Sequence, residues 1–187
     1  QPYGCGCVLF KDPAVGKIYL HESPYTYFSS AELHLGEISL ECSRPGASAV
    51  ALWATQRLLP LVKGGDFAKD LDTCLAAARN FHQNLNDSEF FTPLMQPELD
   101  IVVYAANAPD TNTASTRARL IFEKTAANNL HLALIELPVS IAAAWLNDIE
   151  VNSETITCLR SVLMKPEHEA WGESIFAILE DCAAQLN

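Results

Sequence analysis

Thr155-Ile-Thr-Cys-Leu-Arg-Ser-Val-Leu-Met164, running on into Lys165-Pro166, is the stretch on which the fold turns. It is rich in β-branched and apolar residues and reads as a strand. Alternation along a strand puts Ile156, Cys158, Arg160 and Val162 on one face. Pro166 cannot extend the pairing. With Glu167 and Glu169 behind it, it opens a helix instead, because proline fits the first helical turn and acids complement its partial positive charge. Trp171, Ile175, Ile178, Leu179, Cys182 and Leu186 then form an apolar stripe that should lie against a sheet.

Working upstream, Leu130 to Leu137 reads as a second strand, broken at Pro138. Before it come a strand from Leu99 to Ala105, a loop from Asn107 to Thr113, and a helix from Thr116 to Asn128 stopped by Asn128-Asn129. Strand and helix periods thus alternate within one α+β unit. Further back, Ser43-Arg-Pro-Gly46 launches a helix from Ala47 to Leu59, which Pro60 ends. Gly64-Gly65 breaks the chain, and Asp66 is placed to cap a helix running to Asn84. Phe67, Leu71, Cys74, Leu75, Ala78 and Leu85 mark the apolar face of that helix. Residues 14 to 43 show little period, with Pro24, Ser29-Ser30 and Gly36 as punctuation. The first ten residues read as a tight turn and a short strand, Cys7 to Phe10. A glycine-punctuated turn running straight into a buried-type strand is how the middle of a domain reads, so the chain is expected to be part of a longer one.

Composition narrows the function classes. Of 187 residues, 12 are basic and 23 acidic, a net charge of −11, with no basic cluster. A surface of that sign repels nucleic acid and anionic lipid, so neither is an expected partner. No run reaches the roughly 18–20 apolar residues of a membrane span, and no secretory signal is recognisable. Six cysteines, several in apolar surroundings such as Thr73-Cys-Leu-Ala-Ala77, read as small buried hydrophobes of a reducing, cytoplasmic protein. Cys5-Gly-Cys7 lacks the spacer of a zinc knuckle, and no second pair matches it, so no metal is expected. His21, His34, His82, His131 and His168 form no zincin pattern. Serine-hydrolase, nucleotide and dinucleotide fingerprints do not occur either.

Three places could carry chemistry. Arg160 lies on an apolar strand face, where an unpaired guanidinium costs several kcal/mol in order of magnitude. It therefore calls for either a structural ion pair or a bound carboxylate or phosphate, which a planar guanidinium grips with two hydrogen bonds. Ser43-Arg44-Pro45-Gly46 precedes a helix, so it is either an anion site or an ordinary cap and turn. The aromatic segment His21-Glu-Ser-Pro-Tyr-Thr-Tyr-Phe28 either docks a loop on the core or forms a lid with an acidic hydroxyl.

These pieces occur in a familiar order. Pro2-Tyr-Gly-Cys-Gly-Cys-Val-Leu-Phe10, Ser23-Pro-Tyr-Thr-Tyr-Phe28, Ser39-Leu-Glu-Cys-Ser-Arg-Pro-Gly-Ala47 with Ala51-Leu-Trp53, and Ile156-Thr-Cys-Leu-Arg-Ser-Val-Leu-Met-Lys-Pro166 together resemble the group II pyridoxal-phosphate-dependent amino-acid decarboxylases. The resemblance implies an α/β protein of the fold-type I transferase kind. Residues 1–45 would be the end of the large cofactor-binding domain with its active-site loop, and residues 46–187 the linking helices and the small C-terminal α+β domain. It implies a cytoplasmic homodimer that releases carbon dioxide from an amino acid. Arg160 matches the family's carboxylate-binding arginine. Tyr25, or in a competing alignment Tyr27, matches the mobile-loop tyrosine that returns a proton. Ser43 and Arg44 match the segment that approaches the cofactor phosphate, and Tyr3, Gly4 and Cys5 should lie near the cofactor. The chain departs from the family at one decisive point: the cofactor lysine there follows a histidine just before the Pro-Tyr-Gly-Cys-Gly turn, and none of the six lysines here does. The chain alone is therefore expected to be inactive. Ser-Arg-Pro-Gly also resembles the sphingosine-phosphate lyase branch, which cleaves a carbon–carbon bond. A non-catalytic module that binds a small carboxylate through Arg160 is the remaining alternative.

Overall fold

Alternation in the second half of the chain is realised as an antiparallel sheet. The computed structural model describes residues 4–6, 9–20, 46–146 and 149–186. They fall into two compact units, Gln1–Leu61 and Val62–Asn187.

In the first unit, Pro13–Tyr19 forms a 3-10 helix that the aperiodic sequence did not announce. Its cause is local: Asp12 accepts a hydrogen bond from the Ala14 N–H at 2.8 Å, and Pro13 presets the first turn. Leu9 and Phe10, expected to end a strand, have no regular structure and are exposed. The other half of that expected strand, Cys7 and Val8, lies outside the described residues. Helix α1, Ala47–Leu58, forms where the sequence places it.

The second unit opens with α2, Asp66–Asp87. Asp66 is not its cap: Gly65 occupies that position with extended backbone, and Asp66 is the first helical residue. Its carboxylate still suits the positive helix end and pairs with Lys69 at 3.3 Å. Strand β1, Phe91–Pro93, is followed by β2, Ile101–Ala106, helix α3, Thr111–Ala127, and strand β3, Ala133–Pro138. A single-turn helix α4, Val139–Ala142, precedes β4, Thr155–Val162, and helix α5, Glu167–Ala184. The sheet order is β1-β2-β4-β3, with every pair antiparallel. Strands β2 and β3 therefore run parallel to each other, joined through α3, with β4 inserted between them as a split β-α-β unit.

Helix α3 begins at Thr111, earlier than the periodicity indicated. Asp110 caps it, accepting from the Thr113 N–H at 2.9 Å and the Thr113 hydroxyl at 2.6 Å. The Asn152 side-chain amide donates to the same carboxylate at 2.9 Å, and the buried Thr111 hydroxyl donates to the Asn152 side-chain oxygen, Oδ1, at 2.9 Å. The far end closes as expected. Asn129 takes the left-handed conformation (φ 61°), and the Leu130 and Asn129 N–H groups bond the Thr125 and Ala126 carbonyls.

One face of the sheet is covered by α2, α3 and α5. Phe81, Leu85, Val102, Tyr104, Ala118, Ile121, Leu159 and Leu179 form its core, with edge-on ring contacts from Phe81 and Phe91 to Tyr104. The Tyr104 hydroxyl shares a 3.0 Å hydrogen bond with Ser161, which satisfies it in a site where burial pushes its pKa up. The opposite face packs a smaller cluster, Leu94, Ala105, Ile156 and Cys158 against Val139 and Ala142 of α4. Among the described residues no helix is long and apolar enough to cross a membrane.

Candidate functional site

The open part of that second face holds Arg160. Because β4 is internal, Arg160 has a neighbour on both sides: Val103 of β2 and Ala133 of β3 stand directly opposite it in register. Cys158 and Val162 flank it along its own strand. Burial pushes the Cys158 thiol up to about 12, so it is neutral and offers the guanidinium no counter-charge. The Arg160 Nε is buried and has no hydrogen-bond partner. The ion pair seen among the described residues joins Lys69 to Asp66 at the start of α2, not any acid to Arg160. A structural ion pair, one of the two readings open from the sequence, is thus not what the described residues supply.

This arrangement can do one thing well. A guanidinium whose Nε is held in an apolar frame, with no hydrogen-bond partner among the described residues, suits a planar anion. Val103 and Ala133 were not legible as its neighbours, because strand register is set by residues far apart in sequence.

The remaining candidates divide. Tyr3, Tyr25, Tyr27, Ser43 and Arg44 lie outside the described residues. Gly4 adopts a positive φ of 73°, which suits glycine in the tight turn expected there. Cys5 is buried, and its thiol donates to the Ser48 carbonyl in the first turn of α1 at 2.9 Å. The glycine-cysteine turn and the start of α1 are therefore brought together, although 43 residues separate Cys5 from Ser48. On the described residues alone a pyridoxal phosphate site is not assembled, since Cys5 is turned to helix backbone and Gly4 has no side chain to offer. No group of three or more His, Cys, Asp or Glu among the described residues is placed to hold a metal ion. Acidic side chains line the clefts between α2 and α5, including Asp87, Glu173 and Glu180.

With this geometry in place, comparison with known proteins is informative. No family model matches the sequence. Over 113 residues, 59% of this chain, it is 31% identical to an L-tyrosine decarboxylase of Enterococcus faecium, of which that stretch is 18%. A second L-tyrosine decarboxylase, from Enterococcus faecalis, is 27% identical over 113 residues. In fold, the chain matches Oryza sativa TDC solved with PLP and tryptamine at a TM-score of 0.64, with 12% identity, over 89% of this chain and 33% of that one. Mouse CSAD matches at 0.63 with 16% identity, over 93% and 35%. The fold is thus one found within the pyridoxal-phosphate-dependent decarboxylases, the group that the motifs resemble. In sequence the chain is similar to the tyrosine decarboxylases named above, and it spans less than a fifth of the length of the first of them.

Proposed function

We propose that this chain is the C-terminal part of a pyridoxal-phosphate-dependent amino-acid decarboxylase, in which Arg160 binds the substrate's carboxylate. The observation that carries this reading is the buried Arg160 Nε, without a hydrogen-bond partner among the described residues, in an apolar sheet face. Likeness to L-tyrosine decarboxylases supports the reaction class and makes L-tyrosine the first substrate to try. Residues 1–45 would close the cofactor domain, and residues 46–187 would form the linking helices and the small domain.

Arg160 would fix the amino acid by two charge-assisted hydrogen bonds and hold it in one reactive pose. Tyr25 or Tyr27 would return a proton to the substrate carbon after carbon dioxide leaves. Ser43 and Arg44 would approach the cofactor phosphate, and Tyr3, Gly4 and Cys5 would line its surroundings. The cofactor lysine would come from sequence outside this chain, since no lysine here follows a histidine. The protein would work as a cytoplasmic homodimer.

The test is carbon dioxide release from L-amino acids by the protein purified from its own cells. A hydrogen bond to a charged group is worth about 1.5–3 kcal/mol. Replacing the fork of Arg160 by an ammonium in Arg160→Lys should therefore weaken kcat/KM by roughly ten- to a hundred-fold. Unchanged kinetics in that variant would remove Arg160 from the site. The 187-residue chain by itself should release no carbon dioxide and form no borohydride-reducible adduct with pyridoxal phosphate.

A further inference from the structure

The two edges of the sheet are finished differently. The β1 edge is blunted: it has three residues, and Pro93 ends it. The β3 edge has no such guard along its length. Ala133–Pro138 is six residues long and pairs with β4 on its inner side, and among the described residues its outer side has no hydrogen-bond partner. Leu134 packs against the core under the helices, and Ile135 and Leu137 pack against the smaller cluster on the other face. All three are only half-buried, whereas their register partners on β4, Leu159, Cys158 and Ile156, are fully buried. The difference between the two strands is the missing neighbour beside β3.

We propose that the outer edge of β3 is a strand-addition site for an extended, basic segment of another polypeptide. A fifth strand laid there pairs with the open N–H and C=O groups of β3 and lengthens both apolar layers at once, covering Leu134 on one face and Ile135 and Leu137 on the other. Charge then selects the partner. Glu136 is exposed and is the only charged residue of the strand, on a chain of net charge −11. A lysine or arginine opposite Glu136 makes a favourable cross-strand pair, and an acid in that place makes an unfavourable one. A second copy of this chain fits less well, because it brings −11 against −11. The edge is also only about 20 Å long, short for the roughly 1,200–2,000 Å² that a stable protein–protein interface buries. A peptide segment needs no more than the edge itself. The inference is independent of the role given to Arg160.

The experiment uses the 187-residue chain and three short, end-capped peptides at constant ionic strength. One alternates valine with lysine, and one alternates valine with glutamate. The third is the lysine peptide methylated at every amide nitrogen, which keeps its charge and removes its ability to pair as a strand. Backbone amide resonances and their hydrogen exchange are followed. The lysine peptide should shift the amides of Ala133–Leu137 and slow their exchange, leaving β1 unmoved. The methylated peptide should bind at least about ten-fold more weakly, since it forfeits several hydrogen bonds. The glutamate peptide should bind at least about three-fold more weakly, and Glu136→Lys, an exposed substitution, should narrow that gap or reverse it. Equal binding of the methylated peptide would reduce the effect to attraction by the acidic surface and overturn strand addition. No shift in β3 with the lysine peptide would overturn it as well. Shifts in β3 that grow with protein concentration alone would make the occupant a second copy and overturn the choice of a basic segment.

Discussion

Arg160 and Asp110 are the two side chains whose charge is most informative, and they make opposite cases. Arg160 has a buried Nε with nothing to bind it. Asp110 is fully served: the Thr113 hydroxyl and N–H, followed by the Asn152 amide, pull its pKa from an ordinary 3.8 down to about 2. A carboxylate whose pKa is depressed on folding binds fewer protons in the folded than in the unfolded state, so it adds stability as pH rises. That contribution is present above about pH 3.8 and fades as pH falls towards 2. Asp110→Asn should therefore lose less of its melting temperature than the parent as pH falls from 4 to 2, the window in which the carboxylate takes up its proton. Parallel melting curves for the two proteins would show that the cap carries no charge-dependent stability. Arg160 was legible from alternation alone, because a cation amid Ile156, Cys158 and Val162 contradicts its strand. The full set of partners of Asp110 was not, because Asn152, 42 residues on, reaches it only after the chain has folded back.

At the scale of elements, the strong periods were legible and the short or context-made pieces were not. Helices α1, α2, α3 and α5 and strands β2, β3 and β4 all appear near their expected places. Strand β1 holds only three residues and exists through pairing with β2, while α4 is a single turn. Neither is long enough to leave a period in the sequence. The expected apolar stripe of α2 has the right phase, with Cys74, Ala78 and Leu85 buried, but it omits Phe81 and reaches too far towards the N-terminus. Leu71 was counted into the core and is 55% exposed, whereas Phe81, left out, is 2% exposed and meets both Tyr104 and Phe176 edge-on. The helix runs on to Asp87, so its buried face is centred on its second half, over Ala77, Ala78, Phe81 and Leu85. Phe81→Ala should cost about 3–5 kcal/mol in urea unfolding, and Leu71→Ala no more than about 0.5 kcal/mol. Similar losses from the two would mean that α2 presents a different face to the sheet. Trp171 repeats the lesson in α5: it lies on the expected stripe yet is half exposed, beside His168.

For the whole molecule, the two units differ in how much they bury. Helix α1 has no buried residue, and Val50, Trp53 and Leu58 are all exposed, whereas the second unit contains both clusters of buried side chains. Backbone amides of α1 should exchange with deuterium within minutes, while those of β2 and β4 should remain protected far longer, since local opening is cheapest where few apolar contacts must break. Equal protection would show that α1 is held by contacts of core strength. The insertion of β4 between β2 and β3 also has a consequence for synthesis. On the ribosome, β2 and β3 emerge first, with a gap between them that neither can close. Every backbone pairing of β3 waits for Thr155–Val162 to leave the exit tunnel, so this sheet is zipped late and through contacts distant in sequence. A nascent chain stalled before Thr155 would present two unsealed strand edges to its neighbours, and chaperone dependence should be greatest at that point of translation.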